Sequence, residues 1–400
     1  MSAGDSPARR DPGYTGLTVS REGLAASMYF DAAHYARELA AIWYESWIYV
    51  CPARQLPAAR DYLTFELGDQ SILLLRDESG RIRAYHNTCR HRGAALCRTS
   101  EGRLPPAGIV CAYHGWRYNL RGELLQTSSK SSAEGFDVRD FPLYPVAVRE
   151  WNGLVFISLA KDPPSFETTF DQPLDRLDRW HLADLVVGHT LRKTIACNWK
   201  VFWENYNECL HCPGVHPKLV QLVPLFSRGL QDPRDDPAWR DHAQDEDPKY
   251  TGRLRAGAES WSMDGRPVGI AFPDVSEADR KAGQIYITGI PSVFIVAHVD
   301  YVRIVRLRPL GPEQMELSAE FLFLPETLAD PSRDIMKAVE FTGLVMGEDG
   351  DVCELNQRGL RARAHSHGVV MPEEYLIAQF QDWVRDRLGA AAGRDGKTLR

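Results

Sequence analysis

Missing from this chain are the two features that would tie it to a membrane. No apolar run approaches the roughly 18 to 20 residues of a membrane-spanning helix, and the opening stretch MSAGDSPARRDPGYTG has no hydrophobic segment of the kind that heads an exported protein. A soluble, cytoplasmic protein is the expectation. Positive charge is also short: 47 Lys and Arg against 54 Asp and Glu leave a formal net charge of −7. That excludes the basic footprint of a nucleic-acid-binding domain and argues against anionic membrane surfaces. No G-x-G-x-x-G opens a strand–helix unit, so no flavin or nicotinamide site is expected within the chain. Cysteine is scarce, eight in 400 residues and unevenly spread. Without a secretory leader, this suits reduced thiols or metal ligands better than a disulfide framework.

What is present is enough apolar material, 44% of residues, for two domains or one large domain with an insertion. Residues 1–44 read as a loose arm, with Pro7, Pro12 and Gly16, followed by a helix over 31–43 that opens on an Asp31 N-cap. Residues 45–160 break into short runs such as YLTFELG and SILLLRDESGRIRAYHN, with hairpin turns at 77–80 and 120–122, which predicts a small all-β domain. The prolines of KDPPSF (161–166) make a linker. Residues 161–400 alternate strand-like runs at 186–196, 284–290, 292–299, 302–310 and 315–324 with helices near 171–180, 198–212, 331–363 and 372–388. This is an α+β pattern with an antiparallel sheet. The polar stretch 231–257 reads as a mobile surface loop.

Two constellations carry chemistry. The first pairs Cys89-x-His91, in CRHRGAALC, with Cys111-x-x-His114, in CAYHGW, across 19 intervening residues. Two thiolates and two imidazoles on paired loops suit either zinc or a [2Fe–2S] cluster, although zinc motifs usually separate paired ligands by two to four residues. The run CRHRGA…CAYHGWRY resembles the C-x-H…C-x-x-H-G-W-x-Y signature of Rieske oxygenases. The resemblance implies that Cys89 and Cys111 hold one iron of a Rieske [2Fe–2S] cluster and His91 and His114 the other. Arg90 and Arg92 would hold the loop and its contacts to a neighbouring subunit, and Gly93 would close the turn. The second loop has Ala112 and Tyr113 and no extra cysteine, so Cys97 is expected to be an ordinary buried thiol.

The second constellation is NWKVFWENYNECLHCPGVHP (198–217), which offers Glu204, Glu208, His211 and His216. On a straight helix His211 and His216 would diverge by roughly 140°. Pro213 and Gly214 break the ladder and let His216 turn back, while Glu208 shares the face of His211. A redox C-x-x-C would open a helix after a strand, whereas Cys209 and Cys212 sit late in theirs. The stretch resembles the E/D-x-x-H-x-x-x-x-H motif by which Rieske oxygenase α subunits hold mononuclear Fe(II). A facial triad needs a carboxylate. Asp349, in GLVMGEDGDVCELNQRGL, shares the apolar face of Val345 and Val352, while Glu348 points elsewhere. The family places this ligand five residues before a Glu, here Glu354; Asp351 is the fallback.

The resemblance extends through ENYNECLHCPGVHP, GLAASMYFDAAHYARELAAIWYESWIYV and QRGL, nearly the whole chain. It implies a Rieske domain inserted near the N-terminus of a helix-grip (START/Bet v1-like) catalytic domain with long helices. It also implies a homotrimer, and a separate flavin- or ferredoxin-type reductase as electron donor. Glu208 would bridge His211 to His114 or His91 of a neighbouring subunit. Glutamate at that position, where many ring dioxygenases have aspartate, resembles the carnitine and betaine monooxygenase branch, which oxidises N-methyl groups of quaternary ammonium compounds. Aromatic-ring hydroxylation is the alternative reaction. A stand-alone Rieske electron carrier is the alternative of another class, but it would not require His211, His216 and Asp349. Trp261, Phe272 and Phe294 read as core, and His298 and Asp300 as structural residues outside the ligand set.

Overall fold

The computed structural model describes residues 13–130 and 134–395; Pro7 and Pro12 of the arm lie outside them. The arm is not loose from Thr15 onward, because the Thr15 amide donates to the Arg234 carbonyl (3.1 Å) and Leu17 to Pro372 (2.8 Å). After β1 (Arg21–Ala25) comes α1 (Ala32–Glu38), whose Asp31 side chain caps the His34 amide, and a π turn over Leu39–Trp43 completes the predicted helix. This segment packs against the second half of the chain. Lys200 Nζ reaches Glu38 (2.5 Å), Trp199 Nε1 donates to the other oxygen of Glu38 (2.8 Å), and the Trp43 and Trp199 rings meet edge to face.

The all-β block is as expected. Strands β2 (Ile48–Pro52), β3 (Asp61–Leu67), β4 (Gln70–Arg76), β5 (Ile82–His86), β6 (Glu101–Arg103), β7 (Ile109–Val110), β8 (Arg117–Tyr118), β9 (Leu124–Gln126), β10 (Pro145–Trp151) and β11 (Leu154–Ser158) form two antiparallel sheets. Their orders are β2-β11-β10-β5-β4-β3-β6 and β7-β8-β9. Alternation along β3 puts Leu63, Phe65 and Leu67 inside, the signature of a sheet with one wet face.

Beyond the linker, Leu174–Trp180 winds as a 3₁₀ rather than an α-helix. The chain then runs through β12 (Val186–Ile195), α2 (Trp199–Asn205), α3 (Cys212–Val215), α4 (Pro217–Leu222), α5 (Pro248–Thr251), α6 (Glu277–Ala282), β13 (Gln284–Gly289), β14 (Val293–His298), β15 (Val302–Gly311), β16 (Gln314–Phe323), α7 (Pro325–Ala329), α8 (Met336–Gly359), β17 (His367–Val370) and α9 (Tyr375–Asp395). The antiparallel sheet order is β12-β16-β15-β14-β13. Period-two alternation splits its residues into two cores. Ile285, Ile287, Ile295, Val302 and Ile304 face the Rieske strands through Tyr49, Leu154 and Phe156, whereas Phe294, Val305, Leu307, Ala319 and Phe321 face α2 and α8. Tyr49 pins the seam, its hydroxyl donating to Glu320 (2.5 Å). The 231–257 stretch is more tied than a polar loop suggests: Asp235 is buried and accepts from Thr15 and the amides of Gln231 and Asp232.

Candidate metal centres

Two turns with matching hydrogen bonds make the first site. The Cys89 amide donates to Ala94 O (2.9 Å) and the Gly93 amide back to Cys89 O (3.0 Å). Likewise the Cys111 amide donates to Trp116 O (2.8 Å) and Gly115 to Cys111 O (2.9 Å). Gly93 and Gly115 hold φ of 74° and 68°, which a side chain would strain. Asn87 fastens the first turn by accepting from the amides of Leu96 and Cys97 and donating to Cys97 O. Cys97 is the buried thiol anticipated, and burial pushes its pKa to about 11.

Both Cys89 and Cys111 are buried, while the imidazoles reach the surface with their Nδ1 atoms 3.1 Å apart. Trp116 stacks on His91 at 4.9 Å. The Tyr118 hydroxyl accepts the Arg90 amide (3.1 Å), which leaves its proton for Cys89 Sγ (3.3 Å). Arg90 itself donates to Pro142 O (2.7 Å) and lies over the Tyr144 ring, so it holds the loop as expected. Thiols inside and imidazoles outside fit a cluster with two unlike irons.

The second site departs from the expected helix in its local structure. Asn198 caps α2, but the helix ends at Asn205, and the Asn207 side chain donates to Trp203 O (2.6 Å). Glu208 and Cys209 are therefore non-helical, and Glu208 meets His211 through a turn rather than a helix face. Cys209 and Cys212 are joined in a disulfide, a correction to the expectation of reduced thiols. Pro213 starts a single turn instead of breaking a long helix, and Pro217 starts the next. His216 lies between them at φ −115°, ψ 70°, which swings its ring back.

The candidate ligands converge. His211 Nε2 lies 3.1 Å from His216 Nε2, and Asp349 Oδ1 lies 2.9 Å from His216 Nε2 and 3.3 Å from His211 Nε2. On the other side of each ring stands a glutamate: Glu208 accepts from His211 Nδ1, and Glu348 lies 2.8 Å from His216 Nδ1. Glu348 does not point elsewhere, as its helical position suggested. A metal-binding imidazole needs an acceptor on its second nitrogen, and that requirement is the signal by which Glu348 could have been found. Asp351 is largely exposed beside Lys193, so the fallback is out of reach, and Glu354 accepts the Ala196 amide (3.0 Å).

Burial opposes charge on His211, yet Asp349 and Glu208 together carry its pKa up to about 9. Asp349, although buried, is held below the ordinary range by the two imidazoles. Three carboxylates around two imidazoles, with two nitrogens and one oxygen converging, fit a divalent cation of the two-histidine, one-carboxylate kind. Cys212 Sγ lies 4.0 Å from His211 Nε2 but is bonded to Cys209 and offers no thiolate. Among the described residues, no hydrogen bond or ion pair links the first site to the second.

Residues 46–142 match the Rieske [2Fe-2S] domain family, and residues 178–390 match the ring hydroxylating alpha subunit (catalytic domain) family. The chain is 30% identical over 391 residues to the glycine betaine monooxygenase oxygenase subunit of Chromohalobacter salexigens, covering 91% of this chain and 85% of that one. It is 28% identical over 356 residues to the chloroplastic choline monooxygenase of Arabidopsis thaliana, covering 86% and 77%. In fold it resembles the quaternary ammonium Rieske monooxygenase CntA in complex with L-carnitine, with a TM-score of 0.68, 21% identity, and 92% and 96% of the two chains covered. Among the described residues no helix is long and apolar enough to cross a membrane. With a Rieske [2Fe–2S] domain ahead of a mononuclear-iron catalytic domain, this chain belongs to the ring hydroxylating alpha subunit family of oxygenases, which draw on a separate electron donor.

Proposed function

We propose that the protein mono-oxygenates a small quaternary ammonium compound, by N-demethylation or by hydroxylation beside the nitrogen. The observation that carries the reading is the convergence of His211, His216 and Asp349 in a chain akin to glycine betaine monooxygenase over nearly its full length. His211, His216 and Asp349 would hold Fe(II), and Cys89, His91, Cys111 and His114 the [2Fe–2S] cluster. When bound, these groups supply electrons one at a time and an open coordination face for dioxygen. The chain's own part is orientation. Glu208 and Glu348 fix the Nδ1 protons of His211 and His216, which leaves both Nε2 lone pairs free for the metal. Residues 45–160 serve as the electron-entry domain and 161–400 as the catalytic domain, and of the segment 1–44 the described residues from Thr15 onward pack on the latter.

The assembly we propose is a homotrimer fed by a flavin- or ferredoxin-type reductase, with Glu208 meeting His91 or His114 of the next subunit. Glu208 borders a cleft of about 350 Å³ together with Asn205, Val369 and Glu374. Val369 in its lining is exposed, as is Leu210 two residues after Glu208, and Tyr113 is exposed beside His114. Apolar groups of this kind at two separate places ask for cover. The reading is tested by supplying the iron-loaded protein with a reductase, NADH and trimethylammonium compounds. Formaldehyde or a hydroxylated product supports it, and turnover confined to aromatic acids overturns it in favour of ring hydroxylation.

A further inference from the structure

Buried cations in this chain usually face a carboxylate, as Lys200 faces Glu38 and Arg306 faces Glu316. Arg303 does not. It is 7% exposed, and among the described residues its guanidinium donates only to hydroxyls, Thr342 Oγ1 (3.1 Å) and Tyr206 Oη (3.0 Å), while its Nε has no acceptor. A buried charge without a counter-charge is costly, so the position calls for an anion.

Its surroundings say where that anion would come from. Arg303 stands on β15 opposite Val296 of β14, which in turn faces Tyr286 of β13. Two residues along β14, on the same face, is His298. This is the face covered by α8. Thr342 precedes Asp349 by seven residues, close to two full helical turns, so both point the same way. Tyr206 follows Asn205, whose side-chain Nδ2 lies 3.5 Å from His211 Nε2. Arg303 thus reaches the same side of α8 as the candidate iron ligand Asp349.

Other groups there are also unsatisfied. His298 is fully buried, and among the described residues its ring reaches only the backbone of Gly283; Asp300, by contrast, is fully engaged by Ser260 and the amides of Val268 and Gly269. Among the described residues Trp261, 5.6 Å from the His298 ring, has an unpartnered Nε1. Buried polar groups are rarely left unpaired, and Arg303 Nε and Trp261 Nε1 can only donate. Around them the rings of Tyr206, Tyr286 and Phe294 pack on one another at 4.7 to 6.0 Å, an aromatic cluster whose residues suit the neighbourhood of an onium group.

We propose that Arg303 anchors a substrate carboxylate, so that the site selects a small zwitterion, with an onium group at one end and a carboxylate at the other, over the corresponding amino alcohol. The inference rests on the quaternary ammonium reading above. Anaerobic calorimetric titration of the iron-loaded protein with glycine betaine, L-carnitine, choline and tetramethylammonium tests it without turnover. Wild type should bind the two carboxylates at least about tenfold more tightly than choline, and Arg303→Gln should lose about 10- to 100-fold toward the carboxylates with choline unchanged. Arg303→Lys should recover part of the loss. Equal affinity of wild type for choline and glycine betaine overturns the anchor and leaves the quaternary ammonium reading standing, a result that needs no variant to fold. An Arg303→Gln protein with full iron content and wild-type betaine affinity also overturns it. Failure of all four compounds to bind wild type removes the reading on which it rests.

Discussion

Glu204 sits beside the cleft that holds Glu208, accepting from Tyr29 Oη (2.8 Å) and Gln381 Nε2 (3.0 Å). Burial raises its pKa to about 7, with Glu374 adding to the rise and the two donors and Lys200 opposing it. The unfolded chain would release this proton near the ordinary 4.5, so the folded state binds it more tightly. The group therefore favours folding below pH 4.5, its contribution is lost as pH climbs to 7, and above that the penalty is constant. Glu204→Gln should remove this slope, leaving stability at pH 4 nearly unchanged and raising it at pH 8 by about 2 kcal/mol, discounted for water in the cleft. Denaturant titrations at the two pH values check this, and equal gains at both would contradict it. Glu348 acts differently, through His216. Glu348→Ala should weaken iron binding about 10- to 100-fold at unchanged fold, as read by chelator competition.

Turns rather than strands shape the cluster loops, and their glycines differ in what they protect. A Cβ on Gly115 would meet no neighbour within 4 Å, so Gly115→Ala should cost only the strain of positive φ, about 1 to 2 kcal/mol. A Cβ on Gly108 would lie 2.3 Å from the carbonyl of Tyr118, the residue whose hydroxyl touches Cys89. Gly108→Ala should displace that strand pair and bleach the cluster's visible absorption, while Gly115→Ala retains it. These turns were legible because each pair of candidate ligands lies within four residues on one loop. Asp349 was legible as the inward acid of a periodic helix. Glu348 was not, because its partner His216 lies 132 residues away and its angle on the helix says nothing about that contact. The early end of α2 was missed for a related reason: Glu-Asn-Tyr-Asn has no proline or glycine, and the chain leaves the helix through the Asn207 side chain and the Cys209–Cys212 bond. Arg303 looked like one more strand residue until its missing counter-charge came into view.

The order of the two domains could be read from the change of hydrophobic period alone, whereas the two faces of the catalytic sheet emerge only from its packing. Their functional relation could not, because it depends on distance between sites that share no hydrogen bond or ion pair among the described residues. If electrons cross between neighbours in a closed trimer, a subunit lacking its cluster can still work beside one lacking its iron. Cys111→Ser and His211→Ala chains should each be inactive alone. Co-expressed in equal amounts they should regain about a quarter of wild-type activity per site, since each working site needs one particular variant at the iron and the other at its neighbour in the ring. Glu208→Gln in all subunits should leave both metal sites filled, measured as about three irons per chain, and slow cluster oxidation in a single turnover. Mixed assemblies as inactive as either parent, with trimer formation verified by sedimentation, would place the whole electron path within one chain and exclude Glu208 as the bridge.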